Sequence, residues 1–289
     1  MTFAAGFITY LEVNPYGKGG KGMEKRTGFI GGGNMAEAII KGLLAGGVPA
    51  AELAVSEPSE PRRKLLAERY GVQVIADNAA LCQMSDTVIL AVKPQVAHQV
   101  LGALGTALTD KLFISIMAGV KSAAIEGMLG SGARVVRVMP NTPALVLEGA
   151  SAISRGYNAT EDDLTLTRRI FDLVGTTCVV DEKLLDAVTG VSGSGPAYVL
   201  TFIEALSDAG VKHGLTRDVA TALATQTVYG TAKLLLESHE HPAVLKSNVA
   251  SPGGTTIAAM HSLDRDGFRA ATINAVDVCV ARSKELGER

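Results

Sequence analysis

Residues 28–36 read Gly28-Phe-Ile-Gly31-Gly32-Gly33-Asn34-Met35-Ala36, a glycine-rich stretch from which the fold of the N-terminal part can be inferred. It fits the pattern G-x-G-x-x-G/A, with Gly31, Gly33 and Ala36 in the three small-residue slots. Gly31 allows a tight turn, Gly33 lets a pyrophosphate approach the backbone, and Ala36 allows close packing of helix on strand. The helix N-terminus that follows offers N–H groups and a positive dipole. Because the pattern follows an apolar predicted strand and opens a predicted helix, it predicts a dinucleotide-binding βαβ unit; an ordinary glycine-rich turn is the alternative.

Apolar, β-branched runs alternate with helical patterns from this stretch to about Val180, which predicts a buried parallel sheet with right-handed crossovers. The predicted strands are Thr27–Ile30, Leu53–Ser56, Val72–Ile75, Thr87–Val92, Leu112–Ile116, Val135–Val138, Ala150–Ser154 and Thr177–Val180. The predicted helices are Asn34–Ala45, Pro61–Tyr70 and one that begins at the capping signal Thr160-Glu-Asp-Asp.

The pattern becomes wholly helical from Glu182 to Glu285. The predicted helices are Gly195–His213, Thr216–Ser238, His241–Val249, Thr255–Leu263 and Phe268–Leu286. The predicted fold class is therefore α/β, with a Rossmann-like domain over 23–183 and an all-helical dimerisation and substrate domain over 184–289. The helices carry more apolar surface than one copy can cover, so a homodimer is expected.

The start of the chain differs in character from the rest. Residues 12–22 include Gly-Lys-Gly-Gly-Lys-Gly, which is typical of a flexible tether, and Met23 opens a run that resembles a natural start. We interpret residues 1–22 as a flexible extension that is a vector remnant or an upstream start; a genuine N-terminal arm is the alternative.

Composition and charge argue against several classes of partner and cofactor. The formal net charge is −2 and no basic tract stands out, which argues against nucleic acid as a partner. Cys82, Cys178 and Cys279 are far apart and odd in number, so neither a disulfide framework nor a zinc site is expected. The five histidines show no ligand spacing, and no metal is expected. With no apolar run long enough to span a bilayer, a soluble cytoplasmic protein is predicted.

The residues after the second predicted strand bear on the choice of dinucleotide. Glu57 stands where an acid binds the ribose diol of NAD, whereas Arg62 and Arg63 are of the kind that binds the 2′-phosphate of NADP. The arginines could equally form a solvated first helical turn. The sequence leaves the preference between NADH and NADPH open.

Two further strand ends are expected to face the cofactor, because ligands of open parallel sheets bind beyond the carboxyl ends of the strands. They are Ala91-Val92-Lys93-Pro94 and Met117-Ala118-Gly119. Ordinary turns are the alternative in each case.

Two polar, glycine-rich segments, Val191–Tyr198 and Ser251–Thr256, interrupt the helical domain. Each precedes a predicted helix, so each can present N–H groups and hydroxyls to an anion such as a substrate carboxylate. Two capped helix starts are the alternative.

Taken together, these motifs resemble pyrroline-5-carboxylate reductases from about Gly28 to Leu286. The resemblance rests on five stretches, namely Phe29–Ala36, Leu90–Pro94, Arg137–Pro143, Asp186–Tyr198 and Asn248–Thr256. It implies reduction of 1-pyrroline-5-carboxylate to L-proline, the last step of proline biosynthesis, with NADPH or NADH. It also implies a Rossmann domain, a helical dimerisation domain, and homodimers that assemble further, up to a decamer.

The resemblance also implies roles for single residues. Thr256 is the expected catalytic residue, which hydrogen-bonds the ring nitrogen. The expected substrate-binding residues are Ser251, Gly253, Gly254, Thr255, Thr256 and Glu182. The fingerprint, the strand ends and the resemblance together give the expected cofactor-binding residues Gly31, Gly32, Gly33, Asn34, Met35, Ser56, Glu57, Asn78, Ala91, Val92, Lys93, Pro94, Met117, Ala118, Gly119, Pro140, Asn141 and Asn248, with Thr142 nearby.

Three other classes compete with this interpretation. A relative of the β-hydroxyacid dehydrogenases would present a catalytic lysine early in the helical part, but Lys183 lies outside the Ser-Gly-Ser-Gly-Pro segment. A dinucleotide-sensing protein would bind the cofactor without turnover. A purely structural helical dimer is disfavoured by the fingerprint at Gly31.

Overall fold

The computed structural model describes residues 26–105, 108, 111–130 and 132–287. The described chain divides into two compact units between Leu185 and Asp186. The residues up to Leu185 are called the nucleotide unit here, and those from Asp186 the helical unit. The predicted extension over residues 1–22 lies outside the described residues.

The nucleotide unit is built on one eight-stranded sheet with the order β3-β2-β1-β4-β5-β6-β7-β8. All neighbouring strands are parallel except β6 and β7, which run antiparallel. The strands are β1 Thr27–Ile30, β2 Leu53–Ser56, β3 Gln73–Ile75, β4 Thr87–Leu90, β5 Leu112–Ser115, β6 Arg134–Met139, β7 Gly149–Arg155 and β8 Gly175–Val179. Strands β1, β2, β4 and β5 are buried throughout, as a sheet covered on both faces requires.

Helices cover both faces of this sheet. They are α1 Asn34–Ala45, α2 Glu60–Tyr70, α3 Asn78–Met84, α4 Ala97–Leu104, α5 Ser122–Leu129 and α6 Glu161–Asp172. Phe29 belongs to an apolar cluster with Ile39 and Phe171, whereas the next residue, Ile30, belongs to a second cluster with Leu101. Successive strand residues point to opposite faces, so the two clusters are the cores of the two faces.

The predicted fold class is confirmed, and several details differ. The capping signal at Thr160 forms a complete capping box with Asp163 at the start of α6. The sequence reading missed α3, α4 and α5, and it did not anticipate that β7 is antiparallel to β6. An apolar run indicates that a strand is buried, but it does not indicate the direction of the strand. In the structure, the single-turn helix Thr142–Val146 lets the chain reverse its direction, so that β7 runs antiparallel to β6.

Helix α7, Leu185–Val188, begins at the last residue of the nucleotide unit. The helical unit continues with a π-helical turn Thr189–Gly193, and then α8 Gly195–Lys212, α9 Arg217–Ser238, α10 Pro242–Val249, α11 Thr255–Arg265 and α12 Phe268–Gly287. Helices α8 and α9 pack closely where Gly210 faces Ala220. Among the described residues, no helix combines the length and the apolar character needed to cross a bilayer.

The helical unit buries almost nothing of its own. Its buried described residues are Gly190, Ser207, Ala220, Ala224 and Ser283, and none of them is a large aliphatic or aromatic residue. By contrast, Leu200 is 65% exposed and Val278 is 71% exposed. Helices of this composition need an apolar partner surface, because covering such side chains is what stabilises helical packing.

Candidate functional site

A cavity of about 600 Å³ opens at the carboxyl ends of β1, β2, β3 and β4 in the nucleotide unit. In open α/β sheets this edge is where ligands bind. Its lining combines residues of the glycine turn, the strand ends and helix α4: Ile30, Gly31, Gly33, Ser56, Glu57, Pro58, Ala76, Asn78, Ala91, Val92, Lys93, Val96, Gln99, Val100 and Ala103. The structure thus brings together Gly31, Gly33, Ser56, Glu57, Asn78, Ala91, Val92 and Lys93 from the predicted cofactor set.

The glycine turn has the geometry that the fingerprint predicts. Gly31 has φ of 97°, and a Cβ there would lie 2.6 Å from the carbonyl oxygen of Ala91. Its N–H donates to the carbonyl oxygen of Ser56 at 2.8 Å, which ties the turn to the end of β2. Only glycine satisfies both the left-handed backbone and this close approach.

Gly33 leaves the N-terminus of α1 open. It is the N-cap of α1 with an extended backbone, no side chain caps the helix, and a Cβ placed on it would meet nothing within 4 Å. An open position at an uncapped helix N-terminus matches what a pyrophosphate requires, namely free N–H groups and backbone access. The residues present therefore fit a dinucleotide.

One end of the cavity is formed by the end of β2. Ser56 Oγ donates to Asn78 Oδ1 at 2.6 Å, which links β2 to the start of α3. Glu57 lies next to this pair, and its carboxylate accepts from the backbone N–H groups of Gly32 and Ser59, both at 2.9 Å. The acid that was predicted to face the ribose is therefore held by backbone donors.

The two arginines after β2 are engaged with the protein. Arg62 donates from Nε to the Gly32 carbonyl and from Nη2 to Glu37, both at 2.5 Å. Burial alone would raise the pKa of Glu37, but hydrogen bonds from Tyr70, Arg62 and Arg69 outweigh it, and the pKa is lowered. Arg63 donates from Nη1 to the carbonyl oxygens of Glu57 and Pro58.

Helix α4 forms a wall of the cavity that sequence reasoning missed. Val96 precedes the helix, and Val100 and Ala103 follow on the same side, with Gln99 beside them. The spacing i, i+4, i+7 is the apolar stripe of an amphipathic helix, and that stripe was the available signal. No motif accompanies this stripe, so the sequence did not indicate that the helix lines a cavity.

The remaining predicted cofactor residues lie outside this cavity lining. Gly32, Asn34 and Met35 belong to the turn and the first turn of α1, and Pro94 opens a short 3₁₀ helix. Met117 is buried in the core beneath the loop that contains Ala118 and Gly119. Following β6, Asn141 is buried, and its Oδ1 accepts from the N–H of Ala150. Pro140 and Thr142 flank it, while Asn248 lies in α10 of the helical unit.

Glu182, predicted near the substrate, is the centre of a polar network within the nucleotide unit. It accepts from Ser122 N–H and Ser122 Oγ at 2.7 Å each, and from Arg137 Nη1 at 2.9 Å. Burial alone would raise the pKa of Glu182, but these donors outweigh it, and the pKa is lowered. The network fixes the start of α5, directly after the loop at Met117–Gly119.

The segment Ser251–Thr256 forms a turn that leads into α11. Gly254 is the N-cap, no side chain caps the helix, and Gly253 has φ of 66°. The Gly254 N–H donates to the Ser251 carbonyl at 3.0 Å, which closes the turn. Thr255 and Thr256 are the first two helical residues, so the segment offers both helix N–H groups and hydroxyls, as an anion site requires.

The other glycine-rich segment, Val191–Tyr198, was predicted to precede a helix, and it leads into α8 at Gly195, where no side chain caps the helix. Residues Thr189–Gly193 form a π-helical turn, and the Ser194 N–H donates to the Thr189 carbonyl at 2.8 Å. Ser194 Oγ also lies 3.1 Å from the Cys279 thiol of α12. Glycines and serines allow a π turn as readily as a cap, and the sequence alone does not distinguish them.

No metal centre was expected from the positions of the histidines and cysteines. Within the part of the chain that the structure describes, no group of three or more His, Cys, Asp and Glu side chains is arranged to hold a metal ion. All three cysteines are free thiols. Burial raises the pKa of Cys82 to about 11.

The fold and the cavity define the class as a dinucleotide-binding protein of the Rossmann type that continues into a helical unit. Comparison with known proteins supports this class for the nucleotide unit and for the helical unit. Residues 26–119 match the family model described as NADP oxidoreductase coenzyme F420-dependent, and residues 182–286 match that described as pyrroline-5-carboxylate reductase dimerisation.

Relatives extend the match to nearly the whole chain. The pyrroline-5-carboxylate reductase of Methanosarcina acetivorans is 48% identical over 92% of this chain and 99% of its own length, and that of Escherichia coli K12 is 41% identical over 92% and 100%. The crystal structure of the Plasmodium falciparum enzyme with NADP bound is 35% identical, covers 92% of this chain and 100% of that one, and has a TM-score of 0.84. The chain belongs to the pyrroline-5-carboxylate reductase family.

Proposed function

We propose that this protein reduces 1-pyrroline-5-carboxylate to L-proline, the last step of proline biosynthesis, with NADPH or NADH as the reductant. The observation that carries the proposal is the open glycine turn of the nucleotide unit, in a chain similar over nearly its whole length to reductases of this name. A reductase needs this turn to hold its dinucleotide. The helical unit matches the same family.

Within the nucleotide unit, the glycine turn and the strand ends hold the dinucleotide. The N-terminus of α1 binds the pyrophosphate next to Gly33, and Glu57 with Asn78 faces the adenosine ribose. Asn141, Pro140 and Asn248 are proposed to lie towards the nicotinamide. When bound, the reduced dinucleotide supplies a hydride.

The substrate carboxylate is proposed to bind the segment before α11. Backbone N–H groups at this helix start and the hydroxyls of Ser251 and Thr255 supply the donors, and Gly253 and Gly254 let the anion approach the backbone. Because Gly254 is the N-cap and no side chain caps it, the helix dipole also favours a negative charge there.

Thr256 is the proposed catalytic residue. Its hydroxyl hydrogen-bonds the ring nitrogen of the protonated cyclic imine and orients the C=N bond. As the hydride adds to the imine carbon, the π electrons of the C=N bond move to nitrogen, which becomes the secondary amine of proline. The nitrogen already carries its proton, so this chemistry requires positioning and desolvation more than a strong general acid.

Glu182 is proposed to act on the site as a positioning residue. It holds Ser122 through two hydrogen bonds and Arg137 through a third. This fixes the loop that ends at the start of α5, and with it the predicted cofactor residues Met117, Ala118 and Gly119. Loss of the carboxylate would loosen this loop.

The helical unit is proposed to form a homodimer, and the dimers can assemble further to a decamer. The family model for dimerisation covers this unit. The support from the structure is that large apolar side chains along α8, α9 and α12 are exposed while the unit buries few residues of its own. A cytoplasmic location is proposed because all three thiols are free.

The proposal is tested by incubating the purified protein with 1-pyrroline-5-carboxylate and either NADH or NADPH, and identifying the product by chromatography. We expect L-proline in step with oxidation of the reductant. Binding of a dinucleotide without proline formation would indicate the sensing protein instead. Turnover of keto acids in place of the imine would indicate the wider group of Rossmann reductases.

A further inference from the structure

Resting on the proposed function, we infer that Glu57 makes this site select a dinucleotide whose adenosine ribose carries a free 2′-hydroxyl, so that NADH is preferred over NADPH. The sequence left this choice open between Glu57 and the arginines that follow it. The structure distinguishes the two because it shows where each of these side chains is engaged.

The Glu57 carboxylate is fixed at the ribose end of the cavity. It follows β2 directly, lines the cavity, and accepts from the N–H groups of Gly32 and Ser59 at 2.9 Å each. Both donors are backbone groups, so the position of the charge is set by the fold rather than by a mobile partner. A carboxylate has about four acceptor positions, so two remain for ribose hydroxyls.

Both arginines are already engaged within the protein, close to the end of β2. Arg62 is ion-paired with Glu37 at 2.5 Å and also donates to the Gly32 carbonyl. Arg63 is bound to the carbonyl oxygens of Glu57 and Pro58. Neither arginine lines the cavity. Each arginine therefore already uses part of its donor set within the protein, Arg62 through Nε and Nη2 and Arg63 through Nη1.

Among the described residues that line the cavity, Lys93 is the cationic one, and it follows a different strand. It comes after β4, and β1 lies between β4 and β2. Neighbouring strands are about 4.8 Å apart, so the ends of β2 and β4 are separated by about 10 Å. A phosphate on the ribose would thus lie closer to the Glu57 carboxylate than to the strand end that carries Lys93. Because like charges at short range repel, the carboxylate disfavours a 2′-phosphate.

The test measures binding of NADH and of NADPH to the intact protein by titration calorimetry, without substrate. We expect the wild type to bind NADH at least about tenfold more tightly. Glu57→Gln keeps the size of the side chain and removes the charge, and it should reduce the ratio at least about fivefold, mainly through tighter NADPH binding. Glu60→Gln is the matched control, because it removes one exposed charge three residues away, and it should leave the ratio unchanged.

Each outcome separates this inference from the proposed function. Equal or tighter binding of NADPH by the wild type, or an unchanged ratio in Glu57→Gln, would overturn the role of Glu57. A clear NADH preference in a protein that forms no proline would uphold the role of Glu57 and refute the proposed reaction. Binding of neither dinucleotide would overturn both.

Discussion

A Cβ on Gly31 would lie 2.6 Å from the carbonyl oxygen of Ala91, so the glycine turn and the end of β4 approach as closely as backbone permits. Gly31 also has φ of 97°. An alanine there would meet both a backbone clash and a left-handed conformation. We expect Gly31→Ala to lower the free energy of unfolding by about 1–3 kcal/mol and to weaken dinucleotide binding at least tenfold. Chemical denaturation and calorimetric titration measure the two effects.

Gly33→Ala gives the complementary prediction. A Cβ on Gly33 meets nothing within 4 Å of the protein. Stability should therefore stay within about 0.5 kcal/mol of the wild type, while dinucleotide binding falls because the methyl group occupies the path of the pyrophosphate. Gly127→Ala, also in open space, serves as a control for which binding should not change. Full dinucleotide affinity in Gly33→Ala would exclude the proposed pyrophosphate position.

Removal of the Thr256 hydroxyl tests the catalytic residue. One hydrogen bond to a charged group is worth about 1.5–3 kcal/mol, so Thr256→Ala should lower kcat/KM by about tenfold to a hundredfold. Thr165→Ala, which removes an exposed hydroxyl on α6, should leave kcat/KM unchanged. If steady-state kinetics of the two variants agree, Thr256 does not contact the reacting nitrogen.

The Glu182 network predicts a pH-dependent contribution to stability. Glu182→Gln leaves Arg137, whose side chain is 8% exposed, without its charged partner. We expect the free energy of unfolding to fall by about 2 kcal/mol at pH 7. Asp181→Asn, which breaks only an exposed pair with Lys183, should cost less than about 1 kcal/mol.

The pH profile of that difference follows from the lowered pKa of Glu182. A carboxyl group whose folded pKa lies below its unfolded value stabilises the protein above the unfolded value and loses this effect as the pH falls through the folded pKa. The ordinary value is 4.5. The difference between wild type and Glu182→Gln should therefore be constant from pH 7 to about 5 and shrink below 4.5. A difference that grows on acidification would contradict the network.

Because the helical unit exposes apolar faces, a single charge placed on one of these faces should dissociate the proposed dimer. Leu223 is 56% exposed in α9. Placing a carboxylate there with Leu223→Glu should shift the mass measured by light scattering towards the monomer at micromolar concentration. Tyr157→Glu adds the same charge at a residue that is 93% exposed in the nucleotide unit, and it should keep the wild-type mass. A wild-type mass in both variants would rule out Leu223 as an interface residue.

Much of the nucleotide unit could be predicted because its strands, its glycine turn and its first helix leave patterns among residues that are close together in the sequence. The bounds of β1, α1 and β2 agree with the sequence pattern, since a buried strand, a glycine turn and an amphipathic helix each leave a short periodic trace. The family and its activity class followed from motifs of several residues. The capping box at Thr160 was likewise visible as a local pattern.

The features that were missed depend on tertiary contacts. Helices α3, α4 and α5 are short, so their periodicity extends over only about two turns. The hydrogen bonds from Gly32 to Glu57, from Arg62 to Glu37 and from Ser122 to Glu182 join residues 25 to 60 positions apart. No sequence pattern records such pairings. The π-helical turn before α8 contains Gly190, which packs against Val276 and Val280 of α12, a contact between residues far apart in the sequence.

Transfer of an isotopic hydride tests the proposed reaction at its chemical step. The protein would be supplied with 1-pyrroline-5-carboxylate and with NADH or NADPH that carries deuterium at the transferable position of the nicotinamide, and the product would be analysed by mass spectrometry. Direct hydride transfer to the cyclic imine predicts L-proline with one deuterium on the former imine carbon. Unlabelled proline, or no proline while the reductant stays intact, would contradict the account.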